Sequence, residues 1–172
     1  MRCGQLLQAP RRTMTPILFL DFDGVLNTPK SWGLWRNDDG SIGVPLEQDL
    51  VDRLAKFCAE HPVELVISST WRRIHDRAQI IEKLGPWAEP LMPMDNWATD
   101  DLGERPEQIQ RWLAEHAGAE DYPHIILEDD IWEWGDDQMV VQIDPDVGLQ
   151  DADLYLASIA WRSAQPIPIT EE

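Results

Sequence analysis

Ile17-Leu18-Phe19-Leu20-Asp21-Phe22-Asp23-Gly24-Val25-Leu26-Asn27 is the stretch that decides the fold. An apolar run follows Pro16 and ends in an acid, with a second acid two positions on and a glycine directly after it. A continuous apolar run bounded in this way predicts a strand buried on both faces, in the middle of a parallel sheet. Ligands of such sheets bind at the carboxyl ends of the strands, where Asp21 and Asp23 stand. Period-two geometry sends both side chains to the same side while the path stays extended. Gly24 lets the backbone turn away sharply beyond them. Two carboxylates this close repel each other unless positive charge lies between them. Oxygen-only ligands in an acidic site suit a hard cation such as Mg2+. The competing reading is an acidic strand end that merely caps a turn. Its place at the end of an apolar strand weighs against that.

The segment Leu18 to Leu26 resembles the first motif of the haloacid-dehalogenase (HAD) superfamily of phosphohydrolases. The resemblance implies that Asp21 is the nucleophile and Asp23 the general acid/base, and it directs attention to three further elements downstream.

Val63-Glu64-Leu65-Val66-Ile67 predicts a second buried strand, running into Ser68-Ser69-Thr70-Trp71. An apolar strand ending in hydroxyls is similar to the superfamily's second motif, whose Ser or Thr binds the transferring phosphoryl group. The chemistry calls for a neutral donor beside Asp21. Ser69 is preferred on the resemblance, since relatives carry a hydroxyl two residues before a tryptophan, and Ser68 is the alternate. A helix N-cap is the plainer role for this cluster and suits Thr70 best. The third motif is a cation at or before the helix that precedes the next acidic strand. Arg105 stands there, with Arg72, Arg73 and Lys83 as competitors. A cation at this point would balance the charge of phosphate and nucleophile. His124-Ile125-Ile126-Leu127 predicts a third buried strand, which delivers Glu128-Asp129-Asp130. This resembles the fourth motif, which supplies Mg2+ ligands. Asp129 is the principal ligand on that resemblance, with Glu128 and Asp130 in support, alongside Asp21 and the Asp23 backbone carbonyl.

Between these strands the periodicity predicts helices over Pro45 to Glu60, over Trp71 to Leu84 (Ile74, Ala78, Ile81 and Leu84 inward), and after Gly103-Glu104-Arg105-Pro106, with Ile109, Trp112 and Leu113 inward and Gly118 at its end. A last helix follows Asp151, with Leu154, Ala157 and Ile159 inward. A further strand is expected over Met139 to Ile143, and a short extra one at Leu91-Met92. Thr28 to Val44 reads as a loop or short hairpin, too short for a helical cap. Trp32 and Trp35 there serve either as a lid or as cover for the sheet edge. Alternating strands and helices predict an α/β fold with three layers and a mostly parallel sheet. The resemblance makes this a Rossmann-like HAD domain with minimal cap.

The chain has 172 residues, which fits one domain, and a net charge of −18. Its pI is near 4.4. Such acidity disfavours nucleic acid and anionic membrane as partners, because phosphate contacts need Lys and Arg. Cys3 and Cys58 offer neither metal spacing nor a disulfide framework. No apolar run is long enough to span a membrane. Residues 1–15 read as a disordered leader, 16–162 as the HAD-like domain and 163–172 as a flexible tail. The resemblance implies a cytoplasmic, Mg2+-dependent phosphatase acting through an aspartyl-phosphate on a phosphate monoester. A small molecule or a phosphoprotein is the favoured substrate. In the superfamily a capless site goes with macromolecular substrates, or with a homo-oligomer whose neighbours act as the cap. A polynucleotide-end phosphatase and a non-catalytic binding module with a tryptophan-rich surface are the alternatives.

Overall fold

In the computed structural model, which describes residues 15–31, 35–36, 42–43, 45–118, 122–131, 134 and 139–164, the first apolar run is an inner strand of the sheet. This strand, β1 (Ile17–Leu20), pairs parallel with β4 (Glu64–Ile67) on one side and β5 (His124–Glu128) on the other. Leu20 lies opposite both Ile67 and Leu127, so the three acid- or hydroxyl-ended strands finish level with one another. β6 (Val140–Gln142) pairs parallel with β5, giving the order β4-β1-β5-β6. Strands β2 (Trp35–Arg36) and β3 (Ile42–Gly43) form a separate antiparallel pair, the short hairpin expected in the first insert. The lid role of Trp32 and the Trp35 side chain, the leader and the far tail lie outside the described residues.

Helices α1 (Gln48–Glu60), α2 (Arg77–Leu84), α3 (Arg105–Trp112) and α4 (Asp151–Ala164) flank the sheet. Side-chain alternation along β1 explains the layering. Leu18 and Leu20 pack with Leu50, Leu54, Ile80, Leu84, Leu154 and Ala157, from α1, α2 and α4. Ile17 and Phe19 pack on the other face, with Ile109 and Trp112 of α3 and with Leu113. Neither face of β1 meets solvent. Fully burying each large apolar side chain contributes ~1.5–3 kcal/mol, so this strand anchors both cores. The architecture is α/β, three-layered and Rossmann-like, with an all-parallel four-stranded main sheet.

Four local expectations are corrected. Residues 71–84 are not one helix: a 3₁₀ turn covers Thr70–Arg73, and α2 begins only after Asp76. Asp76 accepts from the Gln79 N–H at 2.9 Å, and Gln79 Oε1 accepts from the Asp76 N–H at 2.9 Å. That reciprocal cap resets the helix. Leu84 is buried and Ile81 packs partly buried against the core, as expected, but Ile80 joins them, while Ile74 is left 73 % exposed and Ala78 exposed. Leu91-Met92 forms no strand: the Leu91 carbonyl accepts from Leu65 N–H, and Ala98 is the residue bridged to Ile67. On α4, Ile159 faces solvent, because Leu154, Ala157 and Ala160 already form the buried stripe. α1 starts at Gln48 rather than at Pro45, with Glu47 in extended conformation before it.

Candidate active site

Parallel pairing of β1 with β5 brings the two acidic strand ends side by side. The Asp21 N–H donates to the Leu127 carbonyl at 3.1 Å, which continues the ladder one step past the apolar run. Carboxylate oxygens of Asp21, Glu128 and Asp129 then lie within 4.8 Å of one another. Asp21 and Glu128 are buried and Asp129 is half-buried. Gly24 makes room for this convergence. Its φ is +75°, and a Cβ there would collide with the Asp129 carboxylate. Arg105, the first residue of α3, reaches the cluster with one nitrogen. Its Nη1 lies 3.1 Å from Asp21 Oδ1 and 2.6 Å from Glu128 Oε2. Pro106 beside it suits the first helical turn, where its missing N–H has no partner to lose.

Electrostatics follow from this crowding. Burial pushes the Asp21 carboxyl above its ordinary value, with Arg105 and the Ser69 hydroxyl working against the shift. Burial, then the neighbouring Asp21, pushes Glu128 up to about 9, again opposed by Arg105. One guanidinium among three carboxylates leaves the site short of positive charge. A divalent cation would supply it, and an oxygen-only donor set fits a hard ion. Asp21, Glu128 and Asp129 are the residues that could hold one.

The remaining predicted residues divide clearly. The Ser69 hydroxyl hydrogen-bonds Asp21. Its oxygen also accepts from the Trp71 backbone N–H at 3.4 Å, so Ser69, not Thr70, caps the 3₁₀ turn. The Ser68 hydroxyl is buried without a hydrogen-bond partner among the described residues. Arg72 is fully engaged in structure. It donates to the carbonyls of Ser68 and Ser69 at 2.7 and 2.6 Å, to the Asp100 carbonyl, and to Gln108 Oε1 at 2.8 Å. Burial lowers its pKa to about 10. Arg73 pairs with Asp101 at 3.3 Å, and Lys83 Nζ lies 5.7 Å from the Trp71 ring centroid. Of the four candidate cations, Arg105 is the one on Asp21. Asp130 is exposed and stands outside the carboxylate cluster, and its backbone carbonyl accepts from Trp134 Nε1 at 2.8 Å.

Asp23 also stands apart from that cluster. Its carboxylate accepts from the Trp71 indole N–H and the Asn27 amide. Sequence reasoning gave neither residue a role. Asn27 closes the turn, since its Oδ1 accepts from the Gly24 N–H at 3.2 Å. An Asn three residues beyond a turn glycine is the sequence signal for such a contact. Trp71 carried no signal beyond its place after the hydroxyls.

Acids on adjacent ends of parallel strands, with a cation between them and a hydroxyl alongside, define a HAD-like hydrolase site. Residues 17–154 match the family described as the HAD domain in Swiss Army Knife RNA repair proteins. The chain belongs to that family. Comparison with curated proteins and with solved structures finds no match. A divalent metal is usual in HAD proteins, and the three-carboxylate cluster could bind one. None of the described helices is long and apolar enough to cross a membrane.

Proposed function

We propose that the protein is a Mg2+-dependent phosphohydrolase that removes a terminal phosphate monoester from an RNA strand by way of an aspartyl-phosphate. The convergence of Asp21, Glu128 and Asp129 beneath the Arg105 guanidinium carries the reading. The substrate class comes from the family's description. Asp21 Oδ bonds to phosphorus as the bond to the leaving oxygen breaks, and Asp23 gives its proton to that oxygen. Asp23 then takes a proton from a water, which displaces Asp21 and releases inorganic phosphate. Ser69 and Arg105 hold the phosphoryl oxygens. Mg2+, held by Asp21, Glu128 and Asp129, would offset the charge that otherwise keeps an anionic ester away.

The tryptophan-rich binding module is the weaker reading. Trp71, Trp87, Trp112, Trp134 and Trp161 all donate their indole N–H inside the fold, and each is buried or half-buried. A cytoplasmic setting accords with the free, buried Cys58 thiol.

The test is phosphate release from an aryl phosphate, a 3′- or 5′-phosphorylated RNA oligonucleotide and a phosphopeptide, with Mg2+ or EDTA. Wild type is expected to turn over only with Mg2+ and to prefer the oligonucleotide. Asp21→Asn should lose essentially all activity. An Asp21→Asn variant as active as wild type would sink the nucleophile assignment. Preference for the phosphopeptide would move the substrate class.

A further inference from the structure

Resting on the reading of Asp23 as the acid/base, we propose that Trp71 is its positioning residue, through an indole N–H shared by both carboxylate oxygens. Nε1 lies 3.1 Å from Oδ1 and 3.1 Å from Oδ2. The Asn27 amide adds a donor to Oδ1 at 2.9 Å. Asp23 sits on the turn just past β1, where the strand no longer constrains its side chain. Two oxygens held by one planar donor fix the orientation of the carboxylate, and Asn27 fixes its tilt.

The ring itself is held firmly. Trp71 is 8 % exposed. Phe22 meets it edge-on, with centroids 5.1 Å apart and planes at 78°. Lys83 covers it from another side. Its backbone N–H is tied to Ser69, the hydroxyl beside Asp21. Trp71 therefore links the end of β4 to the acid/base on the turn after β1.

Packing alone does not explain this donor. Trp87, Trp112, Trp134 and Trp161 satisfy their indole N–H on backbone carbonyls, whereas Trp71 aims its own at a carboxylate of the site. An indole N–H donates and never accepts. It can orient Asp23 without competing for the proton that Asp23 must deliver. A misplaced acid/base loses rate through geometry, even when its chemistry is intact.

The test compares Trp71→Phe with wild type on two esters with Mg2+ present. The alkyl phosphate is the 3′- or 5′-phosphorylated RNA oligonucleotide, whose leaving oxygen needs a proton, and p-nitrophenyl phosphate has one that does not. The value of kcat/KM reports the step in which that bond breaks. With the alkyl ester Trp71→Phe should fall about ten- to a hundredfold, the scale of a hydrogen bond to a charged group. With the aryl ester it should fall only a few-fold. In an Asp23→Asn background the same substitution should add no further loss. Equal losses on both esters, no loss on either, or an undiminished further loss in the Asp23→Asn background would each overturn the proposal. Should Trp71→Phe fail to fold, the indole N–H resonances of Asp23→Asn decide. One of the nine tryptophans is expected to shift clearly, and an unchanged set overturns the proposal. A wild type inactive on both esters fails the phosphohydrolase reading itself, and the inference with it. Activity in wild type without the differential loss fails the inference alone.

Discussion

Glu128 shows what a single buried acid does to the metal-free protein. It is 2 % exposed, and its carboxyl is pushed from the ordinary 4.5 up to about 9 by burial and by Asp21. A carboxyl whose folded value is raised contributes stability in its protonated form. That contribution is complete below pH 4.5 and is lost as pH rises through about 9. The melting temperature of the EDTA-treated protein is therefore expected to fall across this window. Glu128→Gln cannot ionise, so it should flatten the slope. Added Mg2+ favours the ionised form, so its stabilising effect should be larger at pH 8.5 than at pH 5. A chain of this size shifts by ~2–4 °C for each ~1 kcal/mol, which thermal melts resolve readily. A Mg2+ effect that is the same at both pH values would remove Glu128 from the metal site.

At the scale of elements, the apolar strands were legible because both of their faces are buried. Leu18, Phe19, Leu65, Val66, Ile125 and Ile126 leave no alternation to misread. Pairing acids with the ends of those strands then located Asp21 and the Glu128-Asp129 pair. The helices were harder to read, since a local cap can outweigh periodicity. Ile74 and Ala78 share helical spacing with Ile81 and Leu84, yet the Asp76–Gln79 box restarts the chain between Ile74 and Ala78, leaving those two exposed and bringing Ile80 in beside Ile81 and Leu84. Trp71 escaped notice for a different reason. Its partner Asp23 is 48 residues away, and no local pattern records such a contact. Asp76→Ala tests the cap directly. Losing an N-cap of this kind costs ~1 kcal/mol, so the melting temperature should drop ~2–4 °C. Turnover should stay within about twofold, because α2 supports the core rather than the carboxylate cluster and its capping residue is exposed. A fall in turnover well beyond that would mean that α2 sets the position of Trp71 through Lys83.

For the whole molecule, a net charge of −18 opposes an RNA strand only where the strand is held along its length. Among the described residues, four arginines around the site are already engaged. Arg72 is bound to carbonyls, Arg73 to Asp101 and Arg111 to Asp100 at 2.6 Å. Arg105 faces inward onto Asp21 and Glu128. Such a surface suits capture of a terminal phosphate and little else of the strand. It predicts an unusual salt dependence. A protein that tracks a single strand loses affinity with added salt, by a log–log slope of roughly 0.7 for each phosphate neutralised. Here the extra phosphates of a longer strand meet net negative charge. Salt shortens the reach of that repulsion from roughly 30 Å at 0.01 M to roughly 10 Å at 0.1 M. The ratio of kcat/KM for a phosphorylated 12-mer to that for a 3-mer should therefore rise between these two salt concentrations. Steady-state kinetics on the two lengths measures it. A ratio that falls steeply instead would mean that a cationic track binds the body of the strand, and the search for it would begin in the segment from Thr28 to Val44, which carries Lys30 and Arg36.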